Sequence, residues 1–544
     1  MKHSAILLIA TLFLLNSLGS LGQTLYVDPS AGSDTLGTGS QLEPFKTLTA
    51  AVNAIGSASS ISITVVNTNG DVEVDLLSQA TINSTVTIET SNSQYRYLIS
   101  LEQFDQASIT LDSAAIRVIG GSLTVKNAAF SPKSTIDNLQ SFFKVYNAQF
   151  SLQNAVVEDL HDLPELVQTS STSATPSANI QNVQHTNSSA AFKFVKGTHT
   201  VNAVTIIDNV ATQALFTLTQ STLTISGVYI TGGQALIISS QQTMVEASNI
   251  TVNNYNGNLL YAYEPTYIYL ANSAFRNLNI NSSDPFFYIT GTAIGSSYVH
   301  PIELNIFENI VLNRPVILVD QAGASLNVDS ISMDNILKTD LLSEASCISG
   351  QNNVGITITG SIFTSVNTNC VVMNSSGLIL MSNEFDNSNL PSTVNNPDGV
   401  TWVSFNEGTM TVSPGLFMMV TSNRFLNNTL APQKGGAFKI TGTFTGFVRM
   451  MNNIYEGNEA QVSGGAIYCE NYNQQVTASG ETFTENKAVS GAALYFVDNA
   501  SGSGKTVSIS SSSFVNNVNS GSGSVVAVNP ARLSSSGNTF IGNI

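Results

Sequence analysis

Three carboxylates alternate with two valines in Asp71-Val72-Glu73-Val74-Asp75. On a β-strand that spacing sends all three to one face, and clustered carboxylate oxygens are the ligands Ca²⁺ prefers. A straight strand spreads such groups ~6.8 Å apart, so the same pattern also describes a solvated strand face. Ca²⁺ at Asp71, Glu73 and Asp75 is the one cofactor the sequence offers. Four tyrosines form the second candidate group: Tyr261 and Tyr263 flank Ala262, and Tyr267 and Tyr269 flank Ile268. If Leu260, Ala262, Ile268 and Leu270 point inward, all four phenols project outward, with Tyr288 further along. Exposed rings with a polar tip stack on sugars and hydrogen-bond their hydroxyls; tyrosines also fill corners or pack under loops. Glu158, Asp159, His161, Asp162 and Glu165 crowd one turn without a defined ligand spacing. Hydrolysis of a glycosidic bond needs two carboxyls at set separation. No Asp-Asp occurs, and the five histidines at 3, 161, 185, 199 and 300 share no motif.

The elements that position these residues follow from a repeat. An aromatic residue is followed three positions later by Asn at Phe425/Asn428, Tyr455/Asn458, Phe483/Asn486, Phe514/Asn517 and Phe540/Asn543, with steps of 30, 28, 31 and 26 residues. Between these pairs lie Gly435-Gly436-Ala437-Phe438, Gly464-Gly465-Ala466-Ile467 and Gly491-Ala492-Ala493-Leu494, fading to Ser522-Gly523-Ser524-Val525. Self-similarity at such a period marks a solenoid, and short alternating strands with Gly, Asn and Ser turns make it a parallel β-helix. Stacked coils put equivalent residues ~4.8 Å apart, which predicts an internal stack of the five aromatics. The repeated Asn is expected at a corner, tolerating left-handed backbone and bonding turn amides or the next Asn. Glycine is expected to open the following strand, where a Cβ would block a bend and a close backbone approach.

This motif pair resembles the repeats of the polymorphic outer membrane proteins of chlamydiae and similar β-helix repeats of large eukaryotic surface proteins, over about the last 130 residues. Those bacterial proteins end in a membrane barrel; no barrel pattern follows here. Residues 24–56 resemble the start of pectin-lyase-like β-helices: a first strand at Leu25-Tyr26-Val27-Asp28-Pro29, a Gly/Ser/Asp turn, then Pro44-Phe45-Lys46-Thr47-Leu48 to Val52. Phe45, Leu48, Val52 and Ile55 fall at helical spacing with Pro44 in the first turn, a helix that would cover the open end of the solenoid. The fold implied is all-β: a single-stranded right-handed parallel β-helix with a short N-terminal capping helix. Residues 1–22 read as a signal peptide, 23–58 as the first strand and cap, 59–415 as degenerate coils and 416–544 as regular repeats, expected to continue beyond residue 544. Loops are expected at 169–179 and 386–399. Many pectin-lyase-like proteins cleave polysaccharides, which makes a secreted lyase or hydrolase the alternative to a binding protein. The paired Asp and Gly-His-Gly of polygalacturonases are absent from the sequence, and no basic partner for the acidic strand is identifiable.

Composition narrows the class. Charged residues are 10% of the chain against about 25% in ordinary soluble domains. The net charge of −17 disfavours nucleic acid and anionic membranes, which select basic patches; neutral glycans or cations fit better. The apolar run from Ala5 to Leu15 is short of the ~20 residues of a spanning helix and has the small residues of a leader-cleavage site after it. Cys347 and Cys370 lie 23 residues apart, about one coil, which predicts a disulfide and leaves Cys469 over. Sequons at Asn83, Asn187, Asn249, Asn281, Asn374, Asn427 and Asn499 are candidate glycosylation sites of a secreted chain. The sequence therefore favours a non-catalytic extracellular or cell-surface β-helix, a coat, adhesin or stalk presenting a long face to glycans or partner proteins.

Overall fold

The computed structural model describes residues 22–544 apart from 56–59, 110–112, 162, 173–174, 211–212, 235, 281–283, 293–297, 339–344, 353, 375–376, 390–399, 407–416, 431, 442–446, 471–474, 498–505 and 530–531. Residues 1–21 of the expected leader, the sequons at Asn281 and Asn499, most of the expected 386–399 loop and the 415/416 boundary lie outside the described residues.

Two compact units are present, one ending at Ser239 and the other spanning Ser240–Ile544. Both follow one plan. Each turn of the chain adds one strand to each of three parallel sheets. In the first unit Ser122–Lys126, Ala128–Phe130 and Ser141–Tyr146 are followed, in register, by Gln149–Gln153, Val156–Glu158 and Glu165–Ser170. In the second, Phe447–Met451, Ile454–Glu456 and Ile467–Glu470 are followed by Val476–Ser479, Thr482–Thr484 and Leu494–Val497. This is the parallel β-helix that the repeat predicts. Alternation along the strands builds it: Ile61, Ile63 and Val65 are buried, while Ser62 and Thr64 face out. The outward column of the first sheet runs Ser62, Thr87, Thr124, Ser151, Asn179, Thr200 and Thr224. Hydroxyls and one amide thus do the solvating that charges do elsewhere.

Among the described residues, α-helix is confined to Leu48–Asn53. It starts one turn later than the apolar spacing predicts. The Asp34 carboxylate accepts the Lys46 and Thr47 amides at 2.8 and 2.9 Å and the Thr47 hydroxyl at 2.7 Å, fixing Thr47 as the N-cap, whose hydroxyl accepts the Ala50 N–H at 3.2 Å. Pro44 therefore precedes the helix, and Phe45 bridges to Val27 as extended backbone. Leu48, Ala51 and Val52 bury the helix's apolar face against strands Val72–Asp75 and Ala80–Ile82.

The expected aromatic stack is present. Ring centroids are 5.2 Å apart for Phe425–Tyr455, then 4.8, 4.9 and 4.6 Å through Phe483, Phe514 and Phe540, with planes within 10°. It extends further back than the repeat signals, through Phe363, Phe385 and Phe425 at 4.7 and 4.9 Å. Met333 links Phe363 to Phe307 by register. The Asn expectation needs one correction. The left-handed residue is the one before the motif Asn: Asn427, Gly457, Glu485, Asn516 and Gly542, with φ of 53–63°. Asn428, Asn458, Asn486 and Asn517 are instead fully buried. They form a ladder in which the Oδ1 atoms of Asn458, Asn486 and Asn517 accept from the preceding coil, as Asn486 does from Asn458 N and Nδ2, both at 3.1 Å.

The glycines act as expected. Gly435, Gly464 and Gly491 have φ of 60–70°, and a Cβ at Gly464 would meet the Ile467 carbonyl oxygen at 2.4 Å. Gly464→Ala should therefore lower stability by about 1–2 kcal/mol, the left-handed penalty alone, and more if the contact does not relax. Urea unfolding of the two proteins measures this, and an unchanged midpoint would contradict it.

The predicted disulfide is not formed. Ser346 pairs with Asn369 and Ile348 with Val371, so Cys347 and Cys370 are register neighbours as their spacing implies, yet both are buried free thiols, as is Cys469. Facing residues on parallel strands keep the ~4.8 Å strand spacing, slightly wider than the ~3.5–4.5 Å that disulfides span between Cβ atoms. Burial, reinforced by Cys347, pushes the Cys370 thiol well above its ordinary pKa, which leaves it protonated and unreactive.

Candidate functional site

The tyrosines occupy two sheets that meet at one corner of the second unit. Leu260–Tyr263 belongs to one sheet and Tyr267–Ala271 to the next, with Glu264, Pro265 and Thr266 between them; Glu264 turns the corner in left-handed conformation, φ 47°. Leu260, Ala262, Ile268 and Leu270 are buried, so the alternation places Tyr261, Tyr263, Tyr267 and Tyr269 on the outside, each half-buried. Tyr261 lies in register with Tyr288 of the following coil, and their rings pack edge to face at 5.4 Å. Tyr267 and Tyr269 stand parallel, 6.4 Å apart and 11° from coplanar orientation.

What surrounds the second pair is apolar with an acidic rim. Met244 and Glu246 pair with Tyr267 and Tyr269 on one side. On the other side Leu270 pairs with Ile302 and Ala271 with Glu303, which brings Pro301 and the exposed Val299 alongside the two rings. Partial burial, then the Glu246 carboxylate, raise the pKa of Tyr267; partial burial, then Glu303, raise that of Tyr269. Both phenols are therefore neutral hydrogen-bonding tips at physiological pH. Glu264 accepts from Thr292 Oγ1 at 3.0 Å and Gln242 Nε2 at 3.4 Å, and these bonds lower its pKa. Flat rings, neutral hydroxyls and flanking carboxylates suit the faces and hydroxyls of uncharged sugars and repel anions.

The acidic strand does not form a metal site. Val72–Asp75 is a strand with Val74 buried, but its carboxylates are engaged separately. Asp71 Oδ1 accepts the Arg96 N–H at 2.7 Å, and Glu73 pairs with Lys133 Nζ at 2.8 Å, which lowers the Glu73 pKa. Burial, then Glu73, raise that of Asp75. Among the described residues no group of three His, Cys, Asp or Glu could hold a metal ion. The reading of Asp71, Glu73 and Asp75 as Ca²⁺ ligands is thus corrected: Asp71 lies before the strand that carries the other two, and a lysine and a backbone amide use two of them.

Three histidines prove to be interior struts. His199 Nδ1 accepts the Ala178 N–H at 3.1 Å while its Nε2 donates to the Lys196 carbonyl at 2.7 Å. His300 Nδ1 accepts the Ile268 N–H at 3.2 Å and its Nε2 donates to Gln321 Oε1 at 3.1 Å. His185 Nε2 donates to the Ala190 carbonyl at 3.0 Å. Burial holds all three well below the usual histidine value, at about 4, so neither site chemistry nor proton transfer near neutrality falls to them. Stability follows with a definite sign. The unfolded chain takes up these protons below about 6.5 and the folded chain only near 4, so the contribution is complete above 6.5 and lost as pH falls toward 4. Each histidine should account for about 3 kcal/mol over that range. Calorimetry at pH 7 and 4.5 should show a steep fall that His199→Gln reduces; an equal fall in the variant would contradict the assignment.

Another outward cluster has no signal in the sequence. Lys434 Nζ donates to Tyr468 Oη at 2.8 Å and to Glu470 Oε2 at 3.3 Å, and Tyr468 Oη donates to Glu470 at 2.7 Å. Tyr468 stacks on Tyr495 at 5.6 Å. Lys434 comes from the turn that precedes Gly435 and reaches across one coil, a contact no local spacing announces. Of the remaining five sequons, Asn83 and Asn249 are exposed and Asn374 is half-buried, whereas Asn187 donates to Asp159 at 2.6 Å and Asn427 to Ser388 at 2.7 Å. Among the described residues no helix is long and apolar enough to cross a membrane.

No family model matches the chain, and no curated protein matches it. Solved structures that are similar to it include the alginate lyase AlyGC of family PL6, at 9% identity over 95% of this chain and 100% of that one with a TM-score of 0.22. The catalytic domain of a GH87 alpha-1,3-glucanase in complex with nigerose is 10% identical over 91% of this chain and 67% of that one, TM-score 0.20. A rhamnogalacturonan lyase is 12% identical over 95% and 87%, TM-score 0.17. Superpositions this loose transfer neither site nor activity to the chain.

Proposed function

We propose that this chain is a non-catalytic extracellular or cell-surface β-helix protein, a coat, adhesin or stalk, that presents a long outward face to neutral glycans or to partner proteins. The observation that carries the reading is the pair of parallel tyrosine rings, Tyr267 and Tyr269, set outward beside Met244, Val299 and Pro301 and rimmed by Glu246 and Glu303. An exposed patch of this kind on a soluble surface marks a place of contact. Its acidic rim selects uncharged partners. The hydroxyl-rich outer columns and the low share of charge support a role in contact with hydrated polysaccharide, and the leader pattern supports secretion. Asn83 and Asn249, exposed, are the sequons best placed to carry glycans of their own.

The test is a pair of assays on purified residues 23–544 with a panel of neutral and acidic polysaccharides. Retention on a neutral polysaccharide without new reducing ends is the expected result. Release of new chain ends, with or without added Ca²⁺, would replace this reading with that of a secreted polysaccharide lyase or hydrolase.

A further inference from the structure

A second ladder of buried polar side chains runs along the corner between the first and second sheets of the second unit, and one of its rungs is an acid. Asn383, Asn423 and Asn453 hold this place in successive coils, then Glu481, then Ser512 and Asn538. Each Asn works in two directions. Asn423 Oδ1 accepts from Asn383 N and Nδ2, both at 2.9 Å, while its own Nδ2 donates to the Leu380 carbonyl at 3.0 Å and to Asn453 Oδ1 at 3.0 Å. Asn453 Nδ2 likewise donates to the Val420 carbonyl at 2.8 Å.

Glu481 reproduces half of this pattern. Its Oε2 accepts Asn453 Nδ2 at 3.0 Å, and its backbone N–H donates to Ser512 Oγ at 3.1 Å. It has no amide hydrogens to donate. Oε1 is buried without a hydrogen-bond partner, in a residue that is 1% exposed. The groups facing it are Asn452, Asn453 and the Tyr455 phenol from the coil before and Ser512 from the coil after. Tyr455 is the titratable one, and burial, then Glu481 itself, push its pKa up and keep it neutral. An ionised carboxylate there would be a buried charge without a counter-charge. A neutral carboxyl has an amide's shape and offers an O–H where Asn offers an N–H.

We propose that Glu481 is held as the neutral acid and serves as a proton-operated lock on this ladder: protonated, it fills the amide's place without charge, and ionised, it puts an uncompensated charge into the dry corner and loosens the coils on either side. Burial is the main reason, and it pushes the carboxyl up to about 8, against the pull of the Asn453 hydrogen bonds. The direction of the pH effect follows. In the unfolded chain the group loses its proton near 4.5, the unperturbed value; in the folded chain it keeps it to about 8. Between these limits the folded state holds one proton more, so the stabilisation is complete below about 4.5 and is lost as pH rises through about 8. The folding equilibrium falls roughly tenfold per pH unit across that window on account of this group.

The experiment compares the full chain with Glu481→Gln, which supplies a permanent amide of the same shape, by urea unfolding from pH 5 to 9. The unsubstituted protein should lose stability toward pH 9 and the variant should not, ending on the order of a hundredfold or more ahead in its folding equilibrium at pH 9. Hydrogen exchange at 476–486, corrected for the intrinsic rate, should accelerate above pH 8 only in the unsubstituted protein. Parallel pH profiles, or equal exchange, would overturn the proposal. Infrared spectra of the unsubstituted protein supply a readout independent of the variant's folding. A carboxylic-acid C=O band should persist at pH 7 and vanish near pH 8–9, and its absence at pH 7 would overturn the proposal as well.

Discussion

Replacing Asn486 by Ala should destabilise the protein by about 3–5 kcal/mol, more than any single surface change. The side chain is fully buried and sits at the crossing of four hydrogen bonds. Its Oδ1 accepts Asn458 N and Nδ2 at 3.1 Å, and its Nδ2 donates to the Tyr455 carbonyl at 2.9 Å and Asn517 Oδ1 at 3.0 Å. Truncation leaves the Asn458 backbone N–H without its acceptor in a dry interior, a defect worth about 1–3 kcal/mol by itself, and adds a cavity. Asn458→Ala and Asn517→Ala should cost comparable amounts, since both are equally buried. Asn543→Ala should cost less, because that residue is only half-buried. Urea or thermal unfolding measures each. A loss below about 1 kcal/mol at Asn486 would show that the ladder is decoration. The double variant Asn458→Ala/Asn486→Ala should lose less than the two single losses added together, because the bonds between the two amides are counted in both.

That ladder also shows how far a sequence of this kind can be read. The aromatic three residues ahead of an asparagine, the repeat step and the alternation of small and apolar residues required stacked coils, and stacked coils required an aromatic column. All of that depends on local spacing and one translation. The role of Asn486 was half legible: a repeated Asn signals a corner, but only the three-dimensional turn shows that the residue before it takes the left-handed backbone, which frees the Asn to point inward. Cys347 and Cys370 illustrate the opposite outcome. Their spacing correctly makes them neighbours, and the two buried thiols face each other across adjacent coils without being joined. Glu73 and Asp75 alternate with buried Val74 as the spacing requires, yet the strand begins only after Asp71 and the lysine that occupies Glu73 comes from position 133. Glu481, His199 and His300 carried no signal, because their burial is decided by where each turn places them and by partners one coil away.

For the tyrosine patch the expected result is a loss of neutral-glycan affinity of about 2 kcal/mol or more in the double variant Tyr267→Ala/Tyr269→Ala, on the order of thirtyfold in Kd. The argument rests on how the two rings are held. They come from one strand at positions two apart, so the backbone fixes them parallel, and Ile268 between them is buried, which anchors the strand. A sugar face laid against rings that are already oriented loses little further entropy from the protein, so most of the contact is expressed as affinity. Phe at both positions should retain the stacking and lose only the hydrogen bonds of the phenols, a smaller effect of about 1 kcal/mol. Removing the rim should act differently. Glu246→Gln/Glu303→Gln should leave neutral-glycan binding within a few-fold and improve the weak retention of acidic polysaccharides at low salt, an effect that 0.5 M salt removes through screening. Because all four side chains are outward and at least partly exposed, these variants should keep the stability of the parent, so a change in binding reports on the patch. Unaltered glycan retention in Tyr267→Ala/Tyr269→Ala would overturn the patch as the binding surface, because no other change removes so much of its ring area while leaving the buried anchor Ile268 in place.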